Sequence, residues 1–216
     1  MAADYVWLST VMSDPRRLRP FTNDLAEKAE AESRVFDTFK RNDAGEPLGP
    51  DQFPKIIWGA ADRGAKTFKG LPDIIYGFGY YVVSARCAEV LRQFDLGAGA
   101  LYPVRVLQKD RQTPVADHDW FCINFGNQKR GLLPNQSKNI ESWPGGRWIG
   151  RAALGDGDIA VTSSAVSGAD IWVDHLFFQS LFLSRALGDK LRSAKCASGW
   201  GLKKCRLVEA EGGNHG

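Results

Sequence analysis

The chain has 216 residues, of which 44% are hydrophobic and 25% charged, and its formal net charge is +3. These proportions are typical of a globular protein and argue against a disordered, collagen-like or membrane-spanning chain, since no apolar run approaches the roughly 18 to 20 residues of a bilayer crossing. The small net charge neither requires nor excludes a polyanionic partner.

The N-terminal part is predicted to begin with a strand over residues 5–12, where apolar side chains are frequent. A short helix is expected over residues 25–33, because Asp24 and Glu27 have the spacing of a capping box, and its polar composition predicts an exposed helix. The first basic residue is Arg16, so the charged start of a secretory signal is missing and we expect a cytoplasmic protein.

Residues 41–69 are rich in glycine and proline, which leaves little room for long elements. Ile56, Ile57 and Trp58 are expected to anchor this stretch to the rest of the protein. Long loops are often functional, so the segment is a candidate contact surface, with Trp58 as its aromatic contact residue.

Residues 71–107 are predicted to form a strand, a helix and a second strand. Aromatic and β-branched residues are concentrated from Ile74 to Val83, and Ser84 is suited to cap the helix that follows. After the turn Gly97-Ala98-Gly99, residues 101–107 alternate as a second strand does.

A strand is predicted at residues 120–125, and the turn Gly126-Asn127 after it favours a hairpin. The basic pair Lys129 and Arg130 lies in the second arm of that hairpin. We include both residues among the candidate contacts with a partner.

Residues 134–150 are expected to be irregular, with a turn at Pro144-Gly145-Gly146. Trp143 and Trp148 flank this turn, and two tryptophans in such a segment either cover the core or anchor a partner. A short strand is predicted at residues 159–163.

Residues 169–208 repeat the pattern of residues 71–107, which indicates an internal duplication. The spacing is kept to within a few residues. The matching positions are Asp73-Ile74 with Asp170-Ile171, Ser84 with Ser184, Leu91 with Leu191, and Val104-Arg105-Val106 with Cys205-Arg206-Leu207.

The predicted fold is a single α+β domain over residues 1–208, with a mixed or largely antiparallel sheet and two similar strand-helix-strand units. Parallel pairing inside each unit is possible, because a helix connects its strands. Residues 209–216 are polar and glycine-rich, and we expect a disordered tail.

The sequence indicates no catalytic, metal or cofactor site. Cys122 with His118 or His175 leaves open a small hydrolase or transferase, although no third residue orients such a pair. Asp174 and His175 are adjacent in a predicted strand and would face opposite sides. The four cysteines form no Cys-x-x-Cys pair, so we expect reduced thiols.

A second alternative is a nucleic-acid-binding protein that uses Lys129, Arg130 and Trp148. Its binding would weaken steeply with salt, because phosphate contacts release counterions. The basic clusters in the sequence are small, so we do not expect nucleic acid as the partner, and the short apolar runs argue against a membrane.

The two units carry a resemblance to a known family. Their sequences are LPDIIYGFGYYVVSARCAEVLRQF with YPVRVL, and DIWVDHLFFQSLFLSRALGDKL with GLKKCRLV. Over residues 71–208 the chain resembles immunity-protein family eleven of the bacterial polymorphic-toxin systems, in the Pro-Asp-Ile start and in the serine caps of both helices. The resemblance implies a cytoplasmic, non-enzymatic protein that binds and neutralises a cognate toxin.

The expected contact residues combine aromatic and basic side chains on loops, where contacts between proteins are concentrated. They are Trp58, Lys129, Arg130, Trp143 and Trp148.

Overall fold

A computed structural model describes residues 4–13, 19–27, 31–60, 67–151 and 153–209. Across these ranges the chain forms an α+β domain that consists mostly of sheet. The helices are α1 (Ala31–Asp43), α2 (Ala85–Leu91) and α3 (Arg185–Ser193). The strands are β1 (Tyr5–Ser9), β2 (Phe21–Asn23), β3 (Ile56–Gly59), β4 (Ile74–Gly77), β5 (Tyr80–Ser84), β6 (Ala100–Leu107), β7 (Trp120–Asn124), β8 (Gln128–Lys129), β9 (Ile140–Trp143), β10 (Arg147–Gly150), β11 (Ala160–Thr162), β12 (Ile171–Asp174), β13 (Leu181–Leu183) and β14 (Leu202–Val208).

Most of the strands belong to two six-stranded sheets. One has the order β11-β14-β1-β13-β12-β8 and the other β2-β3-β6-β7-β5-β4, while β9 and β10 form a separate hairpin. Both sheets are mixed, because β11 with β14, β8 with β12, and β3 with β6 are parallel and the other pairs are antiparallel. The predicted α+β class with a mixed sheet is confirmed.

The two predicted units have the same arrangement in the two sheets. In each, a hairpin is followed by a capped helix and a last strand, and a strand from elsewhere in the chain, β7 or β1, lies between hairpin and last strand. A parallel neighbour, β3 or β11, then follows. Five strands therefore correspond, and the first strand predicted for each unit is in fact an antiparallel pair. The inserted strand also means that no parallel pairing occurs inside either unit.

The strand register extends this correspondence to single residues. Val83 of the first hairpin is opposite Phe121, and Leu183 of the second is opposite Trp7. In each unit an arginine from the end of the helix covers the aromatic ring: Arg92 lies 4.4 Å above Phe121, and Arg192 lies 5.0 Å above Trp7. A cation over an aromatic face is therefore a shared element of both copies.

The helix caps predicted for the two units are confirmed. The hydroxyl oxygen of Ser84 accepts a hydrogen bond from the N–H of Cys87 at 3.4 Å, and that of Ser184 accepts one from the N–H of Leu187 at 3.2 Å. Each interaction satisfies a backbone donor of the first helical turn, which has no partner inside the helix.

The main core includes residues of both sheets and of both unit helices, so the two copies share one interior. Cys87 and Cys196 belong to it, Cys122 and Cys205 are buried in two neighbouring clusters, and all four are free thiols. The core members from the helices are Cys87, Ala88, Val90, Leu91, Leu187 and Leu191.

The helix predicted at residues 25–33 is wrong in its position. Residues 24–27 form a turn, in which the side chain of Asn23 accepts hydrogen bonds from the N–H groups of Leu25 and Ala26 at 3.0 Å. Helix α1 extends to Asp43 instead, and residues 28–30 lie outside the described part. The buried side chain of Asn42 bonds the backbone of β7 and the residue after it, which fixes the C-terminal end of α1.

Two further local predictions are corrected. Strands β7 and β8 do not form a hairpin, because β8 pairs with β12 in the other sheet. Residues 134–150 are not irregular throughout, because β9 and β10 form a hairpin around the predicted turn at Pro144-Gly145-Gly146. The predicted tail is outside the described residues from residue 210 onward.

The C-terminal end of α1 places a carboxyl group against two tyrosines. The Oδ1 atom of Asp43 is buried and has no hydrogen-bond partner within the described part of the chain. Burial raises the pKa of the Asp43 carboxyl well above its ordinary value, and Tyr81 offsets this in part. Burial and the charge of Asp43 also raise the pKa of Tyr76 to about 12.

The substitution Asp43→Asn is expected to stabilise the protein at neutral pH. A raised carboxyl pKa in the folded state means that stability falls as the pH rises from the unfolded value of about 4 toward the folded value. The asparagine variant lacks this loss, so the two proteins differ most at neutral pH and converge near pH 4. Urea unfolding across this range measures the difference, and a pH-independent destabilisation of the variant would contradict it.

Candidate partner-binding surface

The hairpin of β9 and β10 presents an aromatic surface. The indole of Trp143 is 37% exposed and stacks on the ring of Phe178, with centroids 5.0 Å apart and planes inclined by 10°. Arg147, which is opposite Trp143 in the strand register, places its guanidinium 4.7 Å from the centre of the Phe178 ring. The three side chains form a layered surface with one large aromatic face toward solvent.

The second tryptophan of the hairpin holds it to the sheet. Its backbone N–H donates to the carbonyl of Leu176 at 2.7 Å, and its carbonyl accepts from the N–H of Phe178 at 2.8 Å. The Trp148 side chain is half-buried against the core cluster that includes Phe177 and Phe182. Trp148 therefore anchors the hairpin, and Trp143 is the residue that it exposes.

The basic pair Lys129 and Arg130 lies beside residues 174–178, to which the hairpin is attached. The N–H of His175 donates to the carbonyl of Lys129 at 3.0 Å. The Lys129 ammonium donates to the carbonyls of Ala165 and Ala169 at 2.9 and 2.8 Å and lies 3.8 Å from the centre of the Trp172 ring. Burial lowers the pKa of Lys129 to about 8. Its charge is used inside the fold, whereas Arg130 is exposed.

Trp58 lies apart from the other four predicted contact residues. It belongs to β3 in the other sheet, and its side chain is 5% exposed with the Arg111 guanidinium 4.3 Å above the ring. The structure therefore brings Lys129, Arg130, Trp143 and Trp148 together around residues 174–178 and separates Trp58 from them. Their role in binding stays a prediction.

The carboxylate of Asp174 is held by backbone hydrogen bonds. Its Oδ2 accepts hydrogen bonds from the N–H groups of Gly131 at 2.6 Å and Leu132 at 3.0 Å, and its Oδ1 accepts from Leu176 at 2.8 Å. The carboxylate is buried, whereas the adjacent His175 is exposed. Asp174 thus holds the strand β12 to the loop after β8.

The pair considered for nucleophilic chemistry is not arranged for it. Cys122 is fully buried in the second core cluster, and burial raises the pKa of its thiol, so the reactive thiolate is disfavoured. His118 is exposed, with its ring 4.8 Å from that of Trp120. Among the residues that the structure describes, no three His, Cys, Asp or Glu side chains are grouped as a metal would need.

A comparison with known protein families identifies the chain. The model of the immunity protein family Imm11 matches residues 20–206, which is most of the sequence. The chain belongs to the immunity protein family Imm11. No protein of curated function matches the sequence. Within the described residues, this Imm11 chain has no helix of the length and apolar character that a membrane crossing requires.

A second apolar surface of this Imm11 protein is absent from the sequence predictions. A groove of about 530 Å³ beside α1 is lined mainly by aromatic side chains, among them Phe36 and Phe78, which are 55% and 38% exposed. Phe78 has a φ of +46°, uncommon for a residue with a side chain. Its position between Gly77 and Gly79 is the sequence signal of a tight turn that exposes its middle residue.

Proposed function

We propose that this protein binds a cognate bacterial toxin domain in the cytoplasm and neutralises it by covering part of its surface, without catalysing a reaction. The observation that carries the proposal is membership of the immunity protein family over residues 20–206. The buried Cys122 thiol and the structural use of Asp174 agree with a binding role.

The toxin contact is proposed to include the surface formed by Trp143, Arg147 and Phe178, with Arg130 at its edge. Tryptophan and arginine dominate the binding energy of protein interfaces, because they combine a large contact area with directed polar groups. The Trp143 indole is already ordered by stacking on Phe178, so little side-chain entropy is lost when a partner covers it.

The test uses a candidate toxin domain taken from the genes that flank the one for this protein. Co-expression of the protein with that domain is expected to restore growth to cells that the toxin alone arrests, and the two purified proteins are expected to form a complex in calorimetry. A toxin that remains fully active with this protein in molar excess would refute the proposal.

The substitution Trp143→Ala is expected to weaken toxin binding by about 30-fold, the size of a central interface contact. Phe36→Ala is the matched control, because it also removes an exposed aromatic side chain but from the groove beside α1. Calorimetry measures the affinity of both variants for the toxin domain and so compares the contributions of the two surfaces to binding. Unchanged binding of Trp143→Ala together with a loss in Phe36→Ala would move the contact to the groove.

A further inference from the structure

Three cations converge on two aromatic rings of β1, the half-buried ring of Tyr5 and the buried indole of Trp7. The guanidinium of Arg185 and the ammonium of Lys204 lie 4.9 and 4.7 Å from the ring centre of Tyr5. The guanidinium of Arg192 lies 5.0 Å from the ring of Trp7, and Lys204 is 5.6 Å from the same ring. We call Arg185, Arg192 and Lys204 the cationic cluster.

Carboxylates neutralise only part of this cluster. Asp189 accepts hydrogen bonds from the hydroxyl of Tyr5 at 2.9 Å and from the indole N–H of Trp7 at 3.1 Å. Arg185 has long ion pairs, at 3.6 Å to Asp4 and 3.7 Å to Asp189. Within the described residues, Arg192 and Lys204 form no ion pair. Arg185 and Arg192 are exposed, so the cluster presents unbalanced positive charge to solvent.

The first unit of the duplicated fold shows which part of the cluster the scaffold needs. By helix position and strand register, Arg192 corresponds to Arg92, which also covers an aromatic ring. Arg185 corresponds to Ala85, and Lys204, opposite Trp7, corresponds to Pro103, opposite Phe121. The equivalent helix and strands therefore form without these two cations.

The net charge of the two copies differs in the same way. Residues 185–206 contain seven basic residues and one acidic residue, a net charge of +6, which exceeds the +3 of the whole chain. The corresponding residues 85–106 contain three basic and two acidic residues, a net charge of +1. A concentration of charge that the duplicated scaffold does not require is expected to serve recognition.

We propose that the cationic cluster is a second interaction surface and that its partner is an acidic polypeptide segment. Exposed guanidinium groups pair with carboxylates in a bidentate manner, and a polypeptide can space its carboxylates to avoid Asp4 and Asp189, whereas a phosphate backbone carries a charge at every nucleotide. The rings of Tyr5 and Trp7 are covered by cations and cannot stack on bases as single-stranded nucleic acid requires. The proposal does not depend on toxin binding, because the rings of Tyr5 and Trp7 pack against the main core, whereas the hairpin of Trp143 packs through Trp148 against a different core cluster.

The test is the binding of a short fluorescent peptide in which glutamate alternates with glycine, measured by anisotropy with the full chain. The variant Arg185→Gln, Arg192→Gln, Lys204→Gln is expected to bind about tenfold more weakly, as the loss of three exposed ion pairs predicts. Added salt is expected to weaken binding of the unchanged protein. The charge-matched control is Lys55→Gln, Lys69→Gln, Arg105→Gln, which removes three exposed cations from the other half of the fold and is expected to bind normally.

Several outcomes overturn the proposal: no peptide binding by the unchanged protein, an equal loss in the control, or tighter binding of a single-stranded oligothymidylate than of the peptide. Circular dichroism verifies the fold of each variant. If the triple variant does not fold, Lys204→Gln alone replaces it, because the first unit tolerates proline at the equivalent strand position. That single variant is expected to lose about twofold, the contribution of one exposed pair, and unchanged binding counts against the cluster.

Discussion

Replacing Asp174 by alanine is expected to destabilise the fold by about 3 kcal/mol or more, since each buried donor that loses its acceptor costs about 1 to 3 kcal/mol. Three backbone N–H groups, of Gly131, Leu132 and Leu176, lose their acceptor in this variant. The first two hold the loop after β8, so the variant is also expected to loosen the edge of the sheet on which the hairpin is anchored. Chemical denaturation measures the loss.

Asp170 provides the matched control for this prediction. Its carboxylate accepts one exposed hydrogen bond, from the N–H of Asp95 at 2.9 Å. Asp170→Ala is therefore expected to cost less than about 1 kcal/mol, and Asp174→Asn, which keeps one acceptor oxygen, should lie between the two. Equal stabilities of the two alanine variants would show that the carboxylate of Asp174 does not support the loop.

Features that depend on neighbouring residues were predictable from the sequence. The caps at Ser84 and Ser184 follow from a hydroxyl placed three residues before a backbone N–H that needs an acceptor. The similarity of the two units was predictable because equivalent residues keep their spacing, and the strand register aligns Val104 with Cys205 as the sequence does.

Features that depend on distant parts of the chain were not predictable in this way. The turn after β7 has the composition of a hairpin turn, but β8 pairs with β12, more than forty residues later. The two similar sheets also each contain a strand, β7 or β1, from outside the predicted unit. Local sequence does not determine which strand lies between the hairpin and the last strand of a unit, because tertiary packing decides that pairing.

The candidate site was partly predictable for a similar reason. A tryptophan beside a glycine-rich turn indicates an anchor, yet the sequence does not distinguish Trp143, which is exposed, from Trp148, which is half-buried. Alternation along the strands fixes which side chains share a face, but not which face is covered. Lys129 illustrates the limit, since a lysine on a predicted surface donates to two internal carbonyls.

Replacing Gly188 by alanine is expected to destabilise the protein by about 1 to 3 kcal/mol, although alanine is the better helix former by about 1 kcal/mol. The indole of Trp7 lies against the bare backbone of α3 at this position. A Cβ atom on residue 188 would be 2.6 Å from both Cγ and Nε1 of the indole, closer than real Cβ contacts. Ala186→Gly at an exposed position of the same helix is the control, with a loss of about 1 kcal/mol from helix propensity alone.

The similar first unit indicates how to separate this clash from a general loss of helix stability. The positions that correspond to Gly188 and Trp7 are Ala88 and Phe121 in the first unit, so a smaller ring accompanies alanine there. The loss of stability in the double variant Gly188→Ala, Trp7→Phe is therefore expected to be smaller than the sum of the two single losses. The difference is about 1 kcal/mol, as for residues in direct contact. Urea denaturation of all four proteins gives this coupling energy. Strict additivity would mean that the indole is not what requires glycine in α3.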